Sequence, residues 1–94
     1  MTDDTPLWAQ TQLPTSSLHG SGKVNLVGDK RVAYEALKNA ERALGSVSPH
    51  SRDYPTPEAF LLAQAIHLSR RETLRRMAEV VMNEALEIDR TFER

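Results

Sequence analysis

At 94 residues, with 39% apolar and only 5% aromatic content, the chain makes one domain at most and has little material for a thick core, which points to a partner or self-association. A net charge of −1 and a pI near 6.3 argue against generic polyanion binding, although a local basic patch remains open. The absence of cysteine excludes a disulfide framework, a thiol nucleophile and cysteine metal sites.

Residues 1–28 read as a largely irregular amino-terminal arm. Pro6 and Pro14 interrupt helix, and Gly20, Gly22 and Gly28 loosen the chain. The acidic start Met-Thr-Asp-Asp is unlike the basic start of a secretory signal, and no apolar run reaches the roughly 18 residues of a membrane span. The expectation is a cytoplasmic protein without a membrane segment. Trp8, the single tryptophan, packs on the chain's own helices, anchors another protein, a use for which tryptophan is enriched, or belongs to a disordered tail. Val24-Asn25-Leu26-Val27 could form a brief extended segment, which would need a partner strand. Ser21-Gly22-Lys23 resembles the end of a phosphate loop. However, the earlier glycine that the motif needs is missing and Val24 stands where Ser or Thr should follow the lysine, so nucleotide hydrolysis is set aside.

A domain over 29–94 follows, built as an all-α antiparallel helical hairpin. Its short helix is expected over about 30–44, with Asp29 as N-cap and Gly45 as a left-handed residue past the end. Ala33, Leu37, Ala40 and Leu44 make its apolar stripe, and Lys30, Glu35, Lys38 and Glu41 fall on what reads as a solvated surface. The connector from Gly45 to Pro55 carries two prolines and reverses the chain. Within it, His50-Ser51-Arg52-Asp53-Tyr54 is either a structural turn, with Asp53 accepting backbone hydrogen bonds, or a recognition tip in which Arg52, Tyr54 and His50 meet a partner.

The long helix is expected over about 57–93. Thr56 is its N-cap, Pro57 fills the first position where no N–H is needed, and Glu58 favours the positive end of the helix dipole. At 100° per residue Ala59, Ala63, Ile66, Leu74, Met77, Val81, Ala85, Ile88 and Phe92 converge on one face. The long helix is roughly 55 Å and the short one about 22 Å, so a short helix folded back from Pro57 covers this seam only to about Leu74. That leaves Met77, Val81, Ala85, Ile88 and Phe92 as an expected self-association surface, and the protein is expected to be oligomeric. A second apolar set, Leu61, Leu68, Met82 and Leu86 with Arg75 in line, lies well round the helix and implies a second neighbour or single exposed side chains.

Arg70 falls in the centre of the seam, where a charge needs a partner. It could pair with Glu84 or another carboxylate, reach out past the alanines of the short helix, or bind an anion. Arg70, Arg71, Arg75 and Arg76 form a basic block followed by an acidic one, a pattern suited to antiparallel pairing. A nucleic-acid surface is the weaker use of the same arginines, because no aromatic residue is interleaved. His19, His50 and His67 are not at metal-ligand spacing, and His67 reads as a hydrogen-bonded core histidine.

The order of an alanine-rich short helix, the His50-Ser51-Arg52-Asp53-Tyr54 turn, an alanine-bearing helix start, and His67 with arginines leading to Leu74, Glu84 and Ile88 resembles small helical hairpin proteins of bacteriophages and prophages, whose function is generally unassigned. The likeness covers roughly Ala33 to Ile88. It departs after Tyr54, where Pro55-Thr56-Pro57 replaces a second tyrosine and a glycine-containing turn. The resemblance implies a viral accessory protein and supplies no site. With no catalytic constellation, metal or cofactor call, three functions are weighed. The leading one is a non-enzymatic protein-binding module that sterically blocks a host or defence protein, with Trp8, Arg52, Tyr54, Arg70, Arg71 and Arg75 as contacts. The others are an oligomeric binder of a small anion such as a nucleotide, and a structural virion subunit.

Overall fold

The structure is a computed structural model that describes residues 4–14 and 21–91. Two helices dominate it, α1 over Ser21–Gly45 and α2 over Pro57–Thr91, with short 3-10 turns at Leu7–Ala9 and Ser51–Asp53. Among the described residues there is no strand, and no helix is long and apolar enough to cross a membrane. The expected helical hairpin is therefore present. Phe92 lies outside the described residues.

α2 starts as its sequence dictates. The Thr56 hydroxyl accepts a hydrogen bond from the Ala59 amide at 3.1 Å, Pro57 opens the helix, and the Tyr54 and Phe60 rings lie 6.1 Å apart across the first turn. The start of α1 corrects the expectation. The helix begins at Ser21, not Lys30, so the arm is shorter than 1–28, Val24-Asn25-Leu26-Val27 is helical rather than extended, and Asp29 lies inside the helix rather than capping it. Tertiary contacts offset the propensity cost of Gly28. Lys23 reaches Asp89 at 3.5 Å and Lys30 reaches Glu84 at 3.0 Å, both across the hairpin.

At its other end α1 runs through Gly45, whose φ is outside the left-handed region. The last carbonyls are satisfied instead by the turn and by hydroxyls: Ser46 Oγ donates to Ala43 O at 2.7 Å and Ser48 Oγ to Gly45 O at 3.0 Å. Glycine at this position serves a close approach. A Cβ on Gly45 would meet the Arg71 guanidinium carbon at 3.2 Å.

The helices run antiparallel without a slip in register. Moving from Lys23 to Glu41 on α1 moves the ion-pair partner from Asp89 to Arg71 on α2, the same number of residues in reverse. α1 is about 37 Å long, and the eleven-residue connector lies along the first turns of α2, so α1 meets α2 from about His67 onward. This overturns the expected exposed seam. Ala78, Ala85 and Ile88 are buried, and Met77 and Val81 are half-buried. The more exposed part of α2 is its beginning, where Leu61, Leu62 and Ile66 face out.

The contact row also differs in phase from the apolar stripe. On α1 the half-buried residues Lys23, Val27, Lys30, Tyr34, Leu37, Glu41 and Leu44 recur at intervals of four and three, whereas Ala33 and Ala40 are exposed. On α2 the matching row is His67, Arg71, Leu74, Ala78, Val81, Ala85 and Ile88. Lys30 and Glu41, read as solvated, thus belong to the helix contact. Lys38 pairs with Glu41 at 3.4 Å.

The molecule measures 59 × 36 × 13 Å, so its thinnest dimension is about one helix diameter. One layer of helices has no second layer to close a core, which is why so few side chains are fully buried. The Leu7–Ala9 turn rests on α2 away from α1, with the Arg76 guanidinium 5.7 Å from the centre of the Trp8 ring.

Gly28 gives a direct check of the lengthened α1. It is inside the helix, and a Cβ there would meet nothing within 4 Å. Gly28→Ala is expected to stabilise the protein by about 0.5–1 kcal/mol, read as a rise in thermal midpoint. An unchanged or lower midpoint would show that these first turns are not helical in solution.

Candidate protein-binding surface at the closed end

The connector and the facing turns of the two helices enclose a cleft of about 310 Å³. Leu44, Val47, Pro49, Ala63 and Ile66 supply apolar walls, joined by Tyr54, His67 and Arg70. The 3-10 turn that shapes the rim is closed by the Asp53 amide donating to His50 O at 3.0 Å and the Tyr54 amide to Ser51 O at 3.2 Å. Arg52 is exposed on this turn, and Tyr54 is half-buried above Phe60. Asp53 is exposed as well.

His67 is 9% exposed, with Nε2 3.3 Å from Ser48 Oγ. Because the Ser48 hydroxyl gives its one proton to the Gly45 carbonyl, it accepts at His67, and the imidazole donates. That is the reverse of the arrangement in which histidine withdraws a proton from a nucleophilic serine. The pair holds the connector onto α2.

The four central arginines go to four different environments. Arg71 faces α1, its Nη2 3.6 Å from Glu41 Oε2, and its buried Nε has no hydrogen-bond partner among the described residues. Arg75 is clasped by Glu72 and Glu79 on its own helix, at 2.5 Å each. The Arg75 hydrogen bond holds the Glu72 carboxyl below its ordinary range, and the same bond raises Arg75 above its ordinary value. Arg76 lies over Trp8. Arg70 is exposed at the cleft rim, and no carboxylate or ring pairs with it among the described residues.

The expected central, buried Arg70 is therefore corrected: α1 meets the neighbouring Arg71, and Glu84 is taken by Lys30. Of the contact residues named from sequence, Tyr54 and Arg70 come together in the cleft, with Arg52 on the adjoining turn. Trp8, Arg71 and Arg75 do not. Sequence reasoning missed Ser48 and the part that Lys23, Lys30 and Glu41 play in the helix contact. The signal for the last three is their phase, since each falls on the four-three spacing of Tyr34, Leu37 and Leu44.

Among the described residues no three His, Cys, Asp or Glu side chains form a group able to hold a metal. The cleft offers apolar walls beside a guanidinium, which suits an apolar side chain flanked by a carboxylate. No protein-family model, curated protein or solved structure matches this chain.

Proposed function

We propose that this chain is a non-enzymatic protein-binding module that engages its partner through the closed end of the hairpin. The observation that carries this reading is Arg70: among the central arginines it alone has no partner within the described residues, and it stands on the rim of a cleft whose walls mix apolar side chains with Tyr54 and His67. Tyr54 and Arg52 extend the same surface, and tyrosine and arginine are residue types enriched where binding energy concentrates. The resemblance to phage hairpin proteins supports a host or defence protein as the partner, with occlusion of that protein's own contact surface as the mode of action.

A stoichiometric pull-down tests this. Arg70→Ala and Tyr54→Ala are each expected to weaken capture about tenfold or more, with thermal midpoints little changed for Arg70→Ala because that side chain is exposed. Arg76→Ala, which removes the contact with Trp8, is expected to retain the partner. Equal capture by all variants would exclude the closed end as the binding surface.

A further inference from the structure

α2 carries a second four-three repeat besides the one packed on α1. It begins with Leu61, Ala65 and Leu68, passes through Glu72, Arg75 and Glu79, and ends with Met82 and Leu86. At 100° per residue this row lies about a quarter turn round the helix from Ala78. Nothing described covers its leucines: Leu61 and Leu68 are 60% exposed and Leu86 52%. Three large apolar side chains in the register of a coiled-coil seam, on a molecule one helix thick, form an unpartnered helix face.

The order of residues along that face identifies its occupant. In an antiparallel coiled coil the first position of each repeat lies opposite the fourth position of the partner helix. A two-fold axis midway between Glu72 and Arg75 satisfies this condition along the whole row. Leu61 then meets Leu86 of the second copy, and small Ala65 meets long Met82. Glu72 meets Arg75, and Leu68 packs on the stem of Glu79. A parallel pairing would instead set Glu72 against Glu72 and Arg75 against Arg75, which like-charge repulsion disfavours. The neighbouring flank of α1 presents Arg31, Glu35 and Arg42 with Val24 as its exposed apolar side chain, so most of the apolar contact falls to α2.

We propose that α2 pairs antiparallel with α2 of a second copy of this chain along the Leu61–Leu86 row, with Glu72 and Arg75 forming reciprocal ion pairs across the two-fold axis. The pairs set register and direction, and the apolar contacts on either side supply the attraction. The Glu72 to Arg75 contact already present within one helix is exposed to solvent at both ends, so it can be exchanged for contacts between chains. This interface uses a different surface from the closed-end cleft and stands or falls independently of it.

The absence of cysteine makes the register measurable. Leu61→Cys and Leu86→Cys prepared separately place like positions at opposite ends of the pair, about 37 Å apart, so neither alone is expected to cross-link on mild oxidation. Mixed, the two are expected to give a disulfide-linked heterodimer. Light scattering should show a wild-type dimer, which Arg75→Glu weakens about 10- to 100-fold while helicity by circular dichroism is kept. The exchanged double variant Glu72→Arg/Arg75→Glu should recover it, and Arg70→Ala should leave the mass unchanged. A wild-type monomer across the concentration series, cross-linking of either single variant by itself, or a dimer indifferent to Arg75→Glu would each overturn the proposal.

Discussion

Ile88→Ala is expected to lower the free energy of unfolding by about 2–4 kcal/mol, the largest loss from any single apolar truncation in this chain. Among the described residues Ile88 is the one large side chain that is fully buried, and it lies near the open end of the hairpin, where α1 begins. The rest of the buried apolar core is Ala78 and Ala85, which already end at Cβ. A small domain has only about 5–15 kcal/mol of stability, so this substitution removes a large share of it. Urea or thermal melts followed by circular dichroism measure the change. A loss under about 1 kcal/mol would mean that the first turns of α1 do not cover the end of α2 in solution. If the variant instead kept its melting behaviour and lost only mass by light scattering, Ile88 would be an intermolecular contact, the role expected of it from sequence.

The second large effect concerns the Lys30 to Glu84 pair. Glu84 is 15% exposed at its side chain and Lys30 28%, with 3.0 Å between Nζ and Oε1. Removing the carboxylate leaves the ammonium half-covered with no equivalent acceptor, and Glu84→Ala is expected to cost about 1.5–3 kcal/mol. Replacing both residues, as in Lys30→Met/Glu84→Leu, is expected to restore most of the loss, because neither side chain then carries a charge that must leave water. A double-mutant cycle measures the coupling directly. The Lys23 to Asp89 pair supplies the contrast. Asp89 is 63% exposed, so Asp89→Ala should cost no more than about 1 kcal/mol. Similar small losses at both pairs would show that the helices are not held in this register.

The candidate site divides between local and distant causes. Tyr54 and Arg70 are named from sequence for separate reasons, one on the connector's turn and the other on the long helix, and they come together because the connector runs along the first turns of α2. Arg71 and Arg75 could not be sorted from Arg70 in advance. One residue step rotates a side chain by about 100°, enough to move it from solvent into the helix contact, and the sequence does not state where that contact is centred. The connector's own length carried the same ambiguity. By running along the first turns of α2 rather than turning tightly, it moved α1 toward the far end of α2 and covered Ala85 and Ile88.

By itself the sequence determined what depends on neighbours along the chain. Thr56 and Pro57 start α2, the glycine- and proline-free run to Thr91 sustains it, and a turn-rich connector folds the chain into an all-helical hairpin. Only the tertiary structure decided where α1 begins and which row of each helix faces the other. Val24 to Gly28 has weak local preference and becomes helical because Lys23 and Lys30 find carboxylates on α2. A helix with two apolar rows does not declare which one its partner takes. The choice here went to a row carrying Lys30, Glu41 and Arg71, since charges that seem to belong in water become compatible with a helix contact once the antiparallel alignment sets each beside its opposite.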